Sequence, residues 1–269
     1  MKKKLLITLG DSFTEGWGCY DYTKPIVDYS DSYQINRFHE LGWPNRLGQK
    51  LNYDKVINLG WGGSSNSAHV KLFVEKILPK DFSNYDVLVI WMIAPPERFS
   101  FYSGGQISQF HPNIELSGSV NQTLGESYIM DIENLEEDSI LETIFYIRCL
   151  EQMCENNSFE LLITTWDSSI LKKINNLYPS KYFMKSSNNK PIVESPFSDK
   201  SDNKYKSKIC DHPNELGYER ISVNMMDSIS LYNPHLINEA EVEKFEWIWD
   251  GMPILWDWED DSKKSLNLI

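Results

Sequence analysis

The chain has 269 residues with 26 Lys and Arg against 39 Asp and Glu, a formal net charge of −13. That charge repels phosphate backbones and anionic membrane surfaces, so neither nucleic acid nor a membrane is an expected partner. An ordinary apolar content of 41% is enough for one sizeable buried core, and no stretch approaches the roughly 18 consecutive apolar residues of a membrane span.

Apolar runs at 5–9, 55–59, 87–92 and 161–165 read as buried strands, the first running straight into Gly10-Asp11-Ser12. Met1-Lys2-Lys3-Lys4 is followed by an apolar run of only Leu5 to Leu9, too short for an export segment. Between the strands lie helical patterns at 43–51, 66–78, 132–154 and 168–178, with a last helix at 214–231. The pattern at 132–154 is the clearest, because Ile140, Ile144, Ile147 and Met153 share a face and Glu133, Glu136 and Glu137 suit a helix amino terminus. Alternation of this kind predicts an α/β protein of three layers, helices on both faces of a parallel sheet.

Two stretches break the alternation, 19–41 rich in Tyr and Asp and 100–128 rich in Gly, Ser and Asn. Each follows the carboxyl end of a strand, where open parallel sheets bind ligands, so both are candidate walls of a site as well as surface decoration. The expected division is a domain at 1–235 and an acidic extension at 236–269 that carries Trp247, Trp249, Trp256 and Trp258. Such aromatics pack back on their own domain or on a second copy of the chain, the latter predicting a homo-oligomer. Cys19, Cys149, Cys154 and Cys210 form no Cys-x-x-Cys pair, which suits reduced thiols and a cytoplasmic protein and offers no zinc site.

The chemistry is concentrated at the two ends. Gly10-Asp11-Ser12 ends the first strand, and Asp211-His212-Pro213-Asn214 with Gly217 opens the last helix. A serine hydroxyl needs a base to become a nucleophile, and a distant histidine can supply it. A helix N-cap serine after a strand gives the same local sequence. Between them, Val56-Ile57-Asn58-Leu59-Gly60-Trp61-Gly62-Gly63-Ser64-Ser65-Asn66 is either a plain glycine turn or a place where backbone must approach a ligand. The Gly-x-Ser-x-Gly elbow is excluded because Thr14 takes the second glycine position.

Over roughly residues 4–232 these motifs together resemble the SGNH/GDSL hydrolase family, which implies a three-layer α/β fold with a flavodoxin-like parallel sheet of about five strands. The resemblance implies Ser12 as nucleophile, His212 as general base, and the amides of Ser12 and Gly63 as oxyanion donors, with neither metal nor organic cofactor. Two positions depart from it. The family's block III asparagine falls near Ala94, in Val89-Ile90-Trp91-Met92-Ile93-Ala94-Pro95-Pro96-Glu97-Arg98-Phe99, and a methyl group donates no hydrogen bond. Loss of one such donor typically costs about 2.7 to 4 kcal/mol in the transition state. Asn66 and Arg98 are the candidate substitutes, and each also reads as a structural residue, a helix cap and a salt-bridge partner. The acid expected three before the histidine is Ile209, leaving adjacent Asp211, or Asp202 in the preceding loop, to orient His212. The implied activity is hydrolysis of a small acyl ester, with a glycan O-acetyl ester as the favoured substrate; a binding protein on the same fold is the alternative.

Overall fold

A computed structural model describes residues 2–23, 32–103, 106–110, 132–185, 203–210, 212–240, 242 and 244–251. Its centre is a five-stranded, all-parallel sheet in the order β6-β3-β1-β2-β7, built from β1 (Lys3–Gly10), β2 (Lys55–Gly60), β3 (Tyr85–Ile93), β6 (Glu160–Thr165) and β7 (Glu246–Trp249). A separate antiparallel hairpin, β4 (Phe99–Ser103) and β5 (Gln106–Phe110), follows β3 inside the stretch expected as an insertion. Residues 111–131 of that stretch lie outside the described residues, as do 186–202 and the tail from 252.

The α-helices among the described residues are α1 (Ser12–Glu15), a single turn, α2 (Ser32–Leu41), α3 (Trp43–Lys50), α4 (Asn66–Lys76), α5 (Ile132–Asn156), α6 (Ser168–Leu177) and α7 (Glu215–Tyr232). Side chains alternate across a strand, so β1 feeds two cores at once. Leu5, Ile7 and Leu9 join Val70, Phe73, Ile140, Ile147, Leu150, Leu171 and Ile174 from α4, α5 and α6. Leu6 turns the other way, into the cluster with Phe38, Trp43, Leu47, Tyr218, Ile221 and Met225 from α2, α3 and α7. Both faces of the sheet are therefore covered, which is why its central strands are continuous apolar runs with no polar alternation. Each Leu or Ile removed from water here contributes roughly 1.5–3 kcal/mol.

The four apolar runs and five helical patterns appear as strands and helices, with ends shifted by a few residues at most. The fifth strand comes from the tail. β7 joins the free edge of β2 in register Lys55↔Glu246 to Asn58↔Trp249, and Lys76 binds Asp250 at 2.9 Å just beyond it. Trp247 and Ile248 stay more than a third exposed, so the segment lacks the buried run that marks the other strands. Part of the stretch 19–41 is helical for a related reason: Gln34, Phe38 and His39 of α2 are buried against the domain.

Strand order reverses at β1, since β2 and α4 lead the chain from one side of it to β3 on the other. Open α/β sheets bind ligands at the carboxyl edge of such a switch point. No helix among the described residues is long and apolar enough to cross a membrane.

Candidate active site

Parallel register assembles the site. Gly10 pairs with Gly60 and Leu9 with Trp91, so the residues after β1, β2 and β3 leave the sheet side by side. Trp61 N donates to Gly10 O at 3.0 Å and fixes the start of the glycine loop beside the Ser12 turn. Ser12 opens α1 and is buried, at 7% exposure. His212 Nε2 lies 2.7 Å from Ser12 Oγ, across 200 residues of chain.

The histidine loop is held independently of Ser12. Asn214 caps α7 by accepting the Gly217 amide at 3.0 Å, while its own amide group donates to Lys204 O and Lys206 O. Ser207 N donates to His212 O at 2.9 Å, and Tyr218 OH donates to Trp17 O at 2.7 Å. Gly18, at φ +108°, has no room for a side chain: a Cβ there would run into the Pro213 carbonyl and lie 3.0 Å from His212 Cβ. Gly18→Ala is therefore expected to cost about 1–3 kcal/mol by imposing both positive φ and this clash. Urea unfolding checks it, and a change below about 0.5 kcal/mol would mean that the loop yields freely.

His212 Nδ1 is buried with no partner in hydrogen-bond geometry among the described residues. Asp211 and Asp202, the sequence candidates for orienting the ring, lie outside those residues. Cys210 is beside the ring. Burial pushes its thiol pKa up, but hydrogen bonds to the His212 side chain and backbone and to Ser207 outweigh this and leave it below the ordinary thiol value.

Asp11 ties three strand ends together and is fully buried. Its Oδ1 caps α1 through the Phe13 amide at 3.0 Å, and its Oδ2 accepts Arg98 Nη1 at 2.6 Å and Trp166 Nε1 at 3.3 Å. Trp166 also stacks on Phe13, with centroids 4.7 Å apart and planes 7° from parallel. Phe13 in turn lies against the His212 ring at 5.3 Å. Arg98 is thus engaged by Asp11 through one nitrogen, while its Nε is buried without a partner among the described residues.

The structure commits Asn66 elsewhere. It donates to Ala94 O at 3.0 Å and to Thr143 Oγ1 at 3.2 Å, and accepts the Ala94 amide at 2.9 Å. Both amide hydrogens are used in bracing the end of β3, so in this arrangement none is left for an oxyanion. Gly63 takes the positive φ of +73° that suits a glycine and is exposed. Neither its amide nor that of Ser12 has an acceptor among the described residues.

A second serine–histidine contact, missed in the sequence, lies beneath the same loop. His69 Nε2 is 2.6 Å from Ser64 Oγ, and His69 Nδ1 accepts from Trp91 Nε1 at 3.0 Å. Because the indole can only donate, Nδ1 must be unprotonated and Nε2 carries the hydrogen. This imidazole therefore donates to its serine and cannot take a proton from it. Both residues are fully buried, and burial lowers the His69 pKa to about 3. The unfolded chain binds a proton there near pH 6.5 that the folded chain refuses, so stability falls as pH drops from about 6.5 toward 3. The slope from this group approaches about 1.4 kcal/mol per pH unit. In urea unfolding from pH 7 to 4, His69→Gln is expected to flatten the pH dependence by that amount; an identical slope in the two proteins refutes it.

Among the described residues no group of three or more His, Cys, Asp or Glu side chains is gathered to hold a metal, and the four cysteines are free thiols.

The fold is shared with solved esterase structures at low sequence identity. With a TM-score of 0.53 and 11% identity, the chain is similar to a carbohydrate esterase whose active site displays divergent catalytic and non-catalytic binding functions, over 88% of this chain and 71% of that one. It is also similar to a family two carbohydrate esterase from Clostridium thermocellum, solved in complex with cellohexaose (TM-score 0.49, 10% identity, 86% and 64% covered). A protein assigned to the lipolytic G-D-S-L family from Desulfitobacterium hafniense DCB-2 aligns with a TM-score of 0.45, 15% identity and 84% and 99% covered. No protein-family model and no curated protein matches the sequence.

Proposed function

We propose that the protein is a serine ester hydrolase acting on a small acyl ester, with a carbohydrate O-acetyl ester as the favoured substrate. The observation that carries the reading is the 2.7 Å contact of Ser12 Oγ with His212 Nε2 beside the glycine loop, at the carboxyl edge of a parallel sheet. His212 accepts the Ser12 proton as Oγ attacks the ester carbonyl. The tetrahedral oxyanion is met by the Ser12 and Gly63 amides, and the leaving alkoxide takes the proton from His212. Water, deprotonated by the same histidine, then releases the acid and restores Ser12. Arg98 is the remaining candidate for the donor that Ala94 lacks, since Asp11 engages only one of its nitrogens in the described contacts. Asp211 keeps its proposed role of orienting His212, with Cys210 as the neighbouring alternative.

A binding protein on the same fold, with little or no catalysis, is favoured by the alanine at the block III position. Hydrolysis of p-nitrophenyl acetate and of acetylated pyranosides, together with fluorophosphonate labelling, separates the two. Turnover and labelling that require both Ser12 and His212 support the hydrolase, and their absence in folded protein supports the binding protein.

A further inference from the structure

The glycine loop between β2 and α4 is held by a buried carboxylate that the mechanism above does not use. Glu15 closes the turn that Ser12 opens, and it is only 7% exposed. Its Oε2 accepts the Gly62 amide at 2.6 Å, and its Oε1 lies 3.4 Å from His39 Nε2. His39 is itself buried and stacks on Trp249 of β7, with centroids 4.2 Å apart and planes 12° from parallel. Trp249 Nε1 then donates to Gly60 O at 2.8 Å, closing a ring of contacts around the loop.

Two consecutive glycines give a loop more backbone freedom than any other pair, and that freedom must be removed if an amide is to point at one place. Gly62 sits directly under the nucleophile, where an added Cβ would lie 3.7 Å from the Ser12 Cβ. Anchoring the Gly62 amide on Glu15 leaves Gly63 as the loop residue whose amide is unengaged among the described residues. We propose that Glu15 is a positioning residue, which holds Gly62 so that the Gly63 amide faces the oxyanion formed on Ser12. The inference rests on the serine hydrolase reading. A negative charge this close would oppose a developing oxyanion, so the contribution of Glu15 is its geometry as an acceptor and not its charge.

The test compares Glu15→Ala and Glu15→Gln, with the wild type as reference. Mispositioning one donor lowers kcat by about 10- to 100-fold, with KM expected to stay within about twofold, in Glu15→Ala. Glu15→Gln keeps a carbonyl acceptor and is expected to recover kcat to within about threefold of the wild type. The Gly62 amide proton, followed by 15N-resolved NMR, should sit downfield in the wild type, stay hydrogen-bonded in Glu15→Gln and move upfield in Glu15→Ala. A wild-type kcat in folded Glu15→Ala, or a Glu15→Gln enzyme as slow as Glu15→Ala, overturns the proposal. If the wild type turns over no ester, the hydrolase reading fails and the positioning role falls with it. The Gly62 resonance then separately reports whether Glu15 holds the loop.

Discussion

Ser12→Ala and His212→Ala are each expected to lower hydrolysis of p-nitrophenyl acetate by at least about 1000-fold, with the double variant no worse than the more damaged single one. The shared floor follows from mechanism, because a nucleophile without its base and a base without its nucleophile fail at the same step. Labelling adds a second readout. A fluorophosphonate should modify the wild type, fail on Ser12→Ala, and react slowly with His212→Ala, whose hydroxyl remains but is no longer activated. Reaction of the Ser12→Ala protein at wild-type rate would move the nucleophile elsewhere. Ser64 would be a poor refuge, since it is fully buried and its histidine is fixed in the tautomer that donates to it.

Asp11→Ala is expected to be the most destabilising single change near the site, by about 3–5 kcal/mol. The substitution removes a cap from α1 and the acceptor of the Trp166 indole, and it strands the Arg98 guanidinium, whose side chain is only 12% exposed. Deleting one partner of a buried pair leaves the other charge desolvated and uncompensated, and that residue of the pair dominates the cost. The double variant Asp11→Ala with Arg98→Met should recover much of the loss, because it removes the stranded charge as well. Urea unfolding of the wild type, both single variants and the double variant measures the coupling. A loss below about 1 kcal/mol in Asp11→Ala would show that Arg98 swings to solvent when released.

Much of this protein is legible in short stretches of sequence. Apolar runs bounded by turns located four strands, and caps such as Ser65, Asp167 and Asn214 mark helix starts by hydrogen bonds within three residues. Gly-Asp-Ser and Asp-His-Pro-Asn pointed to Ser12 and His212, which the fold brings into contact. β7 was not legible because its stability comes from the open edge of β2 rather than from its own half-exposed side chains.

The destinations of individual polar groups were not legible either. Asn66 could have faced Ser12 or Ala94, and its hydrogen bonds with Ala94 and Thr143 are what decide between them. Glu15 looks like a surface residue of a short turn until the loop after β2 lies across it. Local patterning by itself determined the layers, most of the elements and the residue types able to perform acyl transfer. Only the tertiary structure decided which donor meets which acceptor, because those partners lie tens to hundreds of residues apart and meet only when the parallel register brings the strand ends to one edge.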